Sequence, residues 1–174
     1  MPENSDARLA CELVLVFVMV LFTCGGASAE TKVHEMKRGI SFSYPSEWTA
    51  REGREGALLL LRDPQNKDAQ ISVTVIEGVV PNSLPPDETE WLRRTSVKDQ
   101  KIGLTSFRKD VVAGKEAIRV EFVMDQKGAP IYSRHVNLQN GDCNISISLS
   151  YRDKDKPGAA GDVFEAVVSS LAFE

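Results

Sequence analysis

The segment "ISFSYPSEW", Ile40 to Trp48, contains three aromatic side chains in a chain that is only 7% aromatic. Alternation places Ile40, Phe42 and Tyr44 on one side of an extended segment, which is typical of a half-buried strand. Pro45 ends that strand, because proline lacks an N–H and has a fixed φ. We expect Trp48 to turn back into the same apolar layer and close a corner of the core. The alternative is an aromatic box for a ligand, with Trp48 exposed beside an open pocket. The residues of this corner are Phe42, Tyr44, Pro45 and Trp48.

The same period of two recurs in "QISVTVIEG", "KEAIRVEFVM" and "GDCNISISLSYR". The turn sequences "QKG" and "QNG" divide the chain from Glu116 to Tyr151 into three antiparallel strands. We place the second turn at Asn140-Gly141, because two-residue hairpin turns need positive φ at both central positions. The sequence "VVAGKEA" predicts a further hairpin with the segment Ser106 to Val112.

Two segments favour helices. In "SLPPDETEWLRRTSVKDQKIG", Pro86 suits the first helical position and acidic residues fill the opening turn. In "KPGAAGDVFEAVVSSLAF", apolar residues recur with helical spacing along one face. That stripe consists of Phe164, Val167, Val168 and Leu171. The run Leu58 to Leu61 is apolar on both sides and requires cover on both. The pattern predicts an α+β fold, an α/β/α sandwich with a central, mostly antiparallel sheet of about six strands and helices covering both faces.

The amino-terminal region is typical of an export signal. Leu13 to Cys24 is an uncharged apolar run, too short to span a membrane comfortably, and the small residues "ASA" precede Glu30. We therefore expect a signal peptide at residues 1–29 and a mature domain at residues 30–174, exported to the periplasm or envelope. A lipoprotein with a lipid on Cys24 and an uncleaved anchor are the alternatives. Membrane contact is expected only through this segment or that lipid.

The remaining residues show no catalytic, metal or cofactor pattern. The net charge of -4 disfavours nucleic acid as a partner, and no zinc, phosphate-loop or dinucleotide motif is present. We expect His135 to face solvent on a strand and Cys143 to be buried and inert. A calcium site at Asp153, Asp155 and Asp162 is less favoured than a solvated turn. We predict no enzyme and no cofactor, and a hydrolase that uses His135 is the least favoured alternative.

The first predicted helix carries the one candidate partner surface in the sequence. It combines an aromatic residue with basic residues that could contact an acidic partner. These residues are Trp91, Arg93, Arg94 and Lys98. The alternative is an ordinary bias of cations toward the carboxyl end of a helix, where they complement the helix dipole.

The pattern "F-x-Y-P-x-x-W", together with "AGKEAIRVEF", "NGDCNISISLSY" and the terminal "SSLAF", resembles the PsbP-like domain superfamily with its PsbP, DcrB and Mog types. The resemblance covers about Val33 to Phe173. It implies an α/β/α sandwich around a six-stranded antiparallel sheet. It also implies binding and assembly roles in place of catalysis, and it carries no catalytic residue onto this chain.

We therefore expect an exported, non-enzymatic protein-binding or assembly factor of the cell envelope, whose partner is an unidentified envelope protein. One alternative is a small-molecule or lipid carrier that uses a cleft between sheet and helix near Trp48 and Trp91. Another is an extrinsic photosystem-type subunit, if the host is photosynthetic.

Overall fold

The computed structural model describes residues 30–53, 58–78, 84–95, 101–126, 128–152 and 157–174. The predicted signal peptide with Cys24 lies outside these ranges, as do Lys98, Asp153 and Asp155. The described strands are β1 (Thr31–Met36), β2 (Ile40–Pro45), β3 (Thr49–Glu52), β4 (Leu58–Arg62), β5 (Gln70–Ile76), β6 (Ile102–Val112), β7 (Lys115–Gln126), β8 (Ala129–Asn140), β9 (Cys143–Tyr151) and β10 (Ala172–Phe173). The described α-helices are α1 (Glu88–Thr95) and α2 (Ala159–Ser169).

Seven strands form one antiparallel sheet in the order β3-β4-β5-β9-β8-β7-β6. The predicted meander is confirmed, because β7, β8 and β9 are neighbours in both sequence and space. β6 lies at one edge of this sheet and contains an irregularity between Leu104 and Ser106. Such a bulge twists the strand locally, and the stretch from Ser106 to Val112 pairs regularly with β7.

The other three strands form a second sheet in the order β1-β2-β10. β2 lies in its centre, and the predicted strand from Ile40 to Tyr44 is therefore separate from the large sheet. β10 pairs with β2 through Ala172 and Ser41, and the Glu174 N–H donates to the Gly39 carbonyl oxygen over 2.9 Å. These bonds attach the carboxyl end of the chain to the small sheet.

The two faces of the large sheet differ in polarity because alternate residues of each strand point to opposite sides. We call the face that carries Ile145, Ile147 and Leu149 the core face, and the face that carries Ser146, Ser148 and Ser150 the cleft face. The three apolar residues are all fully buried, whereas the three serines are half-buried.

α2 and the small sheet pack on the core face. α2 contacts β2, β5 and β9, and all four residues of its predicted apolar stripe are buried in the main hydrophobic cluster. Burial of each such side chain stabilises the fold by roughly 1.5–3 kcal/mol. The helix ends at Ser169, earlier than predicted, because the following residues leave to form β10. The Ser170 hydroxyl oxygen accepts a hydrogen bond from the Ser43 N–H at 2.9 Å and so joins this exit to β2.

A second hydrophobic cluster lies on the cleft face. It contains Trp91 of α1 with Ile118, Val120 and Phe122 of β7, and the Trp91 and Phe122 ring centroids are 5.2 Å apart. The Asp87 carboxylate accepts a hydrogen bond from the Glu90 N–H at 2.9 Å and caps the helix. Pro86 therefore precedes the helix, and its predicted place at the first helical position is wrong.

Glycines with positive φ lie in the hairpin turns. Ala113 and Gly114 connect β6 to β7 with φ values of 48° and 74°, which confirms the hairpin predicted there. The turn between β8 and β9 lies one residue later than predicted, since Asn140 still pairs with Cys143. Gly141, with φ of 62°, is thus the first central residue of that turn.

The α+β class and the large antiparallel sheet are confirmed, with seven strands in that sheet where about six were expected. Helical cover of both faces is not confirmed for the described part of the chain. α1 has eight residues and its apolar contacts are with one end of the cleft face. In β4, Leu59 and Leu61 are fully buried while Leu58 and Leu60 are half-buried, so the cover expected on both sides of this strand is also partial.

Candidate functional site

The aromatic corner is part of the hydrophobic core. Phe42, Tyr44 and Trp48 all belong to the main cluster, and Trp48 is only 4% exposed. The Trp48 N–H donates to the Pro45 carbonyl oxygen over 3.0 Å, which makes the tight turn that brings the indole inward. Trp48 is therefore not the exposed wall of an aromatic ligand box. Among the described residues, it lines neither of the two concavities next to the segment Leu84–Pro86.

His135 is not the solvent-facing residue that the sequence predicted. It lies on the cleft face with its ring centroid 4.8 Å from that of Phe122, in an edge-to-face arrangement. Burial lowers the pKa of His135 to about 4, so the imidazole is neutral at physiological pH. The hydroxyls on this face bond in serine pairs, Ser72 with Ser148 at 2.6 Å and Ser133 with Ser150 at 3.4 Å.

The candidate partner surface on α1 is smaller than predicted. Trp91 is 4% exposed and packs on β7, so it cannot be a surface contact. Arg93 and Arg94 both bond the Glu90 carboxylate at 2.6 Å. Hydrogen bonds from these two guanidinium groups lower the pKa of Glu90 to about 2. The Glu90 carboxylate thus offsets one of the two positive charges that Arg93 and Arg94 offer to an acidic partner.

Among the residues that the structure describes, no metal site is brought together. In the ranges that the structure describes, no three histidine, cysteine or acidic side chains are placed to hold a metal ion. Asp162, the described member of the candidate calcium trio, is exposed in the first turn of α2. Cys143 is buried in the main cluster, and burial raises the pKa of its thiol, which keeps it protonated and unreactive.

An open cleft of about 1020 Å³ lies near the ends of the β6–β7 and β8–β9 hairpins. We call it the large cleft. Its walls are the segment Leu84–Pro86 on one side and the residues of β6 and β7 next to their turn on the other. It is lined by Leu84, Pro85, Pro86, Lys109, Asp110, Val111, Gly114, Lys115, Glu116, Ala117, Ile118, Gln139 and Gly141. Charges of both signs therefore surround an apolar interior.

One wall of the large cleft is fixed to α2 by Arg119. Its guanidinium bonds Asp110 of the cleft and also donates to both Glu165 carboxylate oxygens, at 3.0 and 2.8 Å. The Arg119 hydrogen bond also lowers the pKa of Asp110, so this carboxylate stays charged in mild acid. The end of β6 is thereby connected across β7 to a helix of the core face.

A second, smaller concavity of about 200 Å³ lies under α1. We call it the small pocket. It shares Leu84, Pro85 and Ile118 with the large cleft, so the two are neighbours. Its other lining residues are Trp91, Arg94, Thr95, Asn137 and Asn144. The Asn144 side-chain oxygen is buried and has no hydrogen-bond partner among the described residues.

Sequence reasoning expected a cleft between sheet and helix near Trp91, where the small pocket lies, but it missed the large cleft. Asn137 and Asn144 alternate with buried apolar residues, which is the ordinary pattern of a solvated sheet face. The segment that covers them, Leu84–Pro86, is distant in sequence and contains no motif. Of the predicted site residues, the structure brings only Trp91 and Arg94 to the small pocket. None of the described helices is long and apolar enough to cross a membrane.

No protein-family model and no curated protein sequence matches the chain. Solved structures do. The cyanobacterial PsbP (CyanoP) from Synechocystis sp. PCC 6803 is 19% identical with a TM-score of 0.64, over 87% of this chain and 98% of that one. The Ran-binding protein Mog1p of Saccharomyces cerevisiae is 12% identical with a TM-score of 0.52, over 83% and 95%. A Pseudomonas aeruginosa protein of unknown function, described as a putative regulator, is 11% identical with a TM-score of 0.56, over 82% and 96%.

These similarities agree in fold with the resemblance to PsbP-like domains. The chain shares the fold of CyanoP and Mog1p. At such identities the comparison establishes the fold alone, because unrelated functions are hosted on one fold. The function has to be argued from the concave site.

Proposed function

We propose that this chain is an exported, non-enzymatic protein-binding domain of the cell envelope, and that its partner presents an extended segment to the large cleft. The observation that carries the proposal is the composition of that cleft. Val111 is 68% exposed and apolar, and Lys109, Lys115 and Glu116 place charges of both signs around it. An apolar centre inside a polar rim is the usual anatomy of a protein interface.

The position of β6 supports an extended partner. β6 is an edge strand of the large sheet, so along the described chain its outer backbone groups face no neighbouring strand. An extended segment can add to such an edge through main-chain hydrogen bonds, while adjacent pockets select its side chains. The structural relatives also support a binding role, since Mog1p is a Ran-binding protein.

Two valines allow a matched test of this surface. Val111 and Val33 are both strand residues and both 68% exposed, but Val33 lies on β1 in the other sheet. The tagged full-length protein is expressed in its host, cross-linked, and recovered from envelope fractions. We expect Val111→Asp to lose a specific partner that wild type and Val33→Asp both retain. Equal recovery of the same partners by all three proteins would contradict the proposal.

Export is proposed from the sequence of residues 1–29. Mass spectrometry of the protein from envelope fractions checks it, and we expect a mature amino terminus at Glu30. A lipid on Cys24 would instead establish the lipoprotein alternative, and an intact leader would establish the uncleaved anchor. A photosystem-type subunit is the special case for a photosynthetic host, and co-purification of a photosystem would identify it.

A small-molecule or lipid carrier is the second candidate function. It is favoured by the volume of the large cleft, about 1020 Å³, which is at the upper end for small-molecule sites. It is disfavoured by the charges around the cleft, since carrier sites are mostly apolar and enclose their ligand. Native mass spectrometry of the protein from its host distinguishes the two. A bound lipid or metabolite that Val111→Asp removes would favour the carrier.

A further inference from the structure

The small pocket contains an unsatisfied hydrogen-bond acceptor. The Asn144 side-chain oxygen is buried and unpaired among the described residues, on the cleft face of β9. An unpaired buried polar atom is unfavourable, because it has lost its water without gaining a partner. In the register of β8 and β9, Asn137 pairs with Ser146, which is two residues from Asn144. Asn137 and Asn144 therefore lie on the same face. A ligand that donates to Asn144 therefore finds a second amide beside it.

The residues that line the small pocket favour some hydrogen-bond donors over others. Asn137 offers both a donor and an acceptor, so a ligand with both complements it. A carboxylate does not fit, since it has no proton to donate to the Asn144 oxygen. A serine or threonine hydroxyl places one donor on a short stem in a pocket of about 200 Å³. A primary carboxamide on a longer stem supplies donor and acceptor together.

We propose that the small pocket binds a primary carboxamide, the side chain of an asparagine or glutamine in the segment that occupies the large cleft. This inference rests on the proposed function, because the carboxamide enters from the neighbouring cleft. Leu84, Pro85 and Ile118 line both concavities, so a side chain can pass from one to the other while its backbone stays in the cleft. The hydrophobic wall of Trp91 packs against the side-chain stem.

The probe is a library of random extended heptapeptides, selected on the full-length protein. Val111→Asp and Val33→Asp are used in parallel to identify the peptides that depend on the large cleft. Among peptides lost with Val111→Asp and kept with Val33→Asp, we expect asparagine or glutamine to be enriched at one fixed position. Cleft-dependent peptides without that enrichment would overturn the carboxamide inference and leave the proposed function standing. No cleft-dependent peptide at all would overturn both.

A second measurement assigns the preference to Asn144. The best peptide is resynthesised with glutamate or methionine in place of its carboxamide residue, and each Kd is measured for wild type and Asn144→Leu. We expect about a tenfold weaker Kd for the changed peptides on wild type, which corresponds to one net hydrogen bond. On Asn144→Leu the difference is expected to shrink to about twofold or less. Asn144→Ala replaces Asn144→Leu if the latter does not fold. If the folded variant keeps the full preference for the carboxamide peptide, Asn144 does not bind the carboxamide.

Discussion

The two faces of the large sheet are formed by the same strands but have different roles. The core face is apolar and buried where α2 and the small sheet cover it. The cleft face carries serines, asparagines and His135, and its described helical contacts come from the short helix α1. The apolar contacts that stabilise the fold are therefore concentrated on the core face. The cleft face can retain half-buried polar groups and two concavities. Substitutions on the two faces should therefore behave differently.

The largest expected effect is on the core face. Phe164 of α2 is 1% exposed, and Phe164→Ala is expected to lower the free energy of unfolding by about 3–5 kcal/mol. The exposed Val111→Ala on the cleft should change it by less than about 0.5 kcal/mol. Urea unfolding followed by tryptophan fluorescence measures both. A loss below about 1 kcal/mol for Phe164→Ala would show that α2 contributes little to the core.

The next effect is a pH dependence that originates on the cleft face. The folded pKa of His135, about 4, is below the ordinary value of 6.5, so the unfolded chain binds this proton more tightly. The contribution of His135 to the free energy of unfolding is therefore fully present above pH 6.5. It falls as the pH decreases toward 4, by at most roughly 3 kcal/mol.

His135→Asn removes this titration, and its unfolding free energy should lose less on acidification than that of wild type. Unfolding at several pH values between 7 and 4 measures the slope, and an NMR titration of the imidazole gives the pKa directly. The idea of a half-buried, neutral His135 is untenable if wild type and variant show the same slope.

A smaller effect is expected where Arg119 connects the cleft to α2. Arg119→Met removes the bonds to Asp110 and Glu165 and should cost about 1–3 kcal/mol, since Arg119 is only 16% exposed. The matched control is Arg93→Met on α1, where the arginine side chain is 71% exposed and little change is expected. Thermal unfolding at low and high salt tests both variants. Equal effects of the two substitutions would contradict a structural role for Arg119.

The smallest expected change in the free energy of unfolding has the opposite sign to the others. Asn144→Leu removes a buried acceptor that has no partner among the described residues, so the free energy of unfolding should stay constant or rise by up to about 1 kcal/mol. Thermal unfolding of the variant beside wild type checks this. A clear loss of stability would indicate that the Asn144 amide supports the fold, and that its oxygen is not reserved for a ligand.

The alternation of apolar residues predicted the core face well. Ile145, Ile147 and Leu149 alternate with serines, and Phe164 and Val168 share one side of a helix, so burial could be inferred from spacing alone. β3 and β10 were missed for physical reasons. All four residues of β3 are exposed, and β10 has only two residues, so neither segment contains a periodic signal.

The cleft face could not be predicted in the same way. His135 was expected to face solvent because its neighbours on the strand are polar, and the Phe122 ring that buries it belongs to the adjacent strand. Likewise, Asn144 becomes a site only because Leu84 and Pro85 lie over it. Such contacts join residues far apart in sequence, and local periodicity carries no information about them.

The most direct test of the account is a photo-crosslinking amino acid placed at one of two positions in the full-length protein in its host. Position 111 lies in the large cleft, and position 33 is equally exposed on the other sheet. The account predicts a discrete crosslinked protein from position 111 that is absent from position 33. The opposite pattern, or a partner captured equally at both positions, would contradict the claim that the large cleft is where this protein binds its partner.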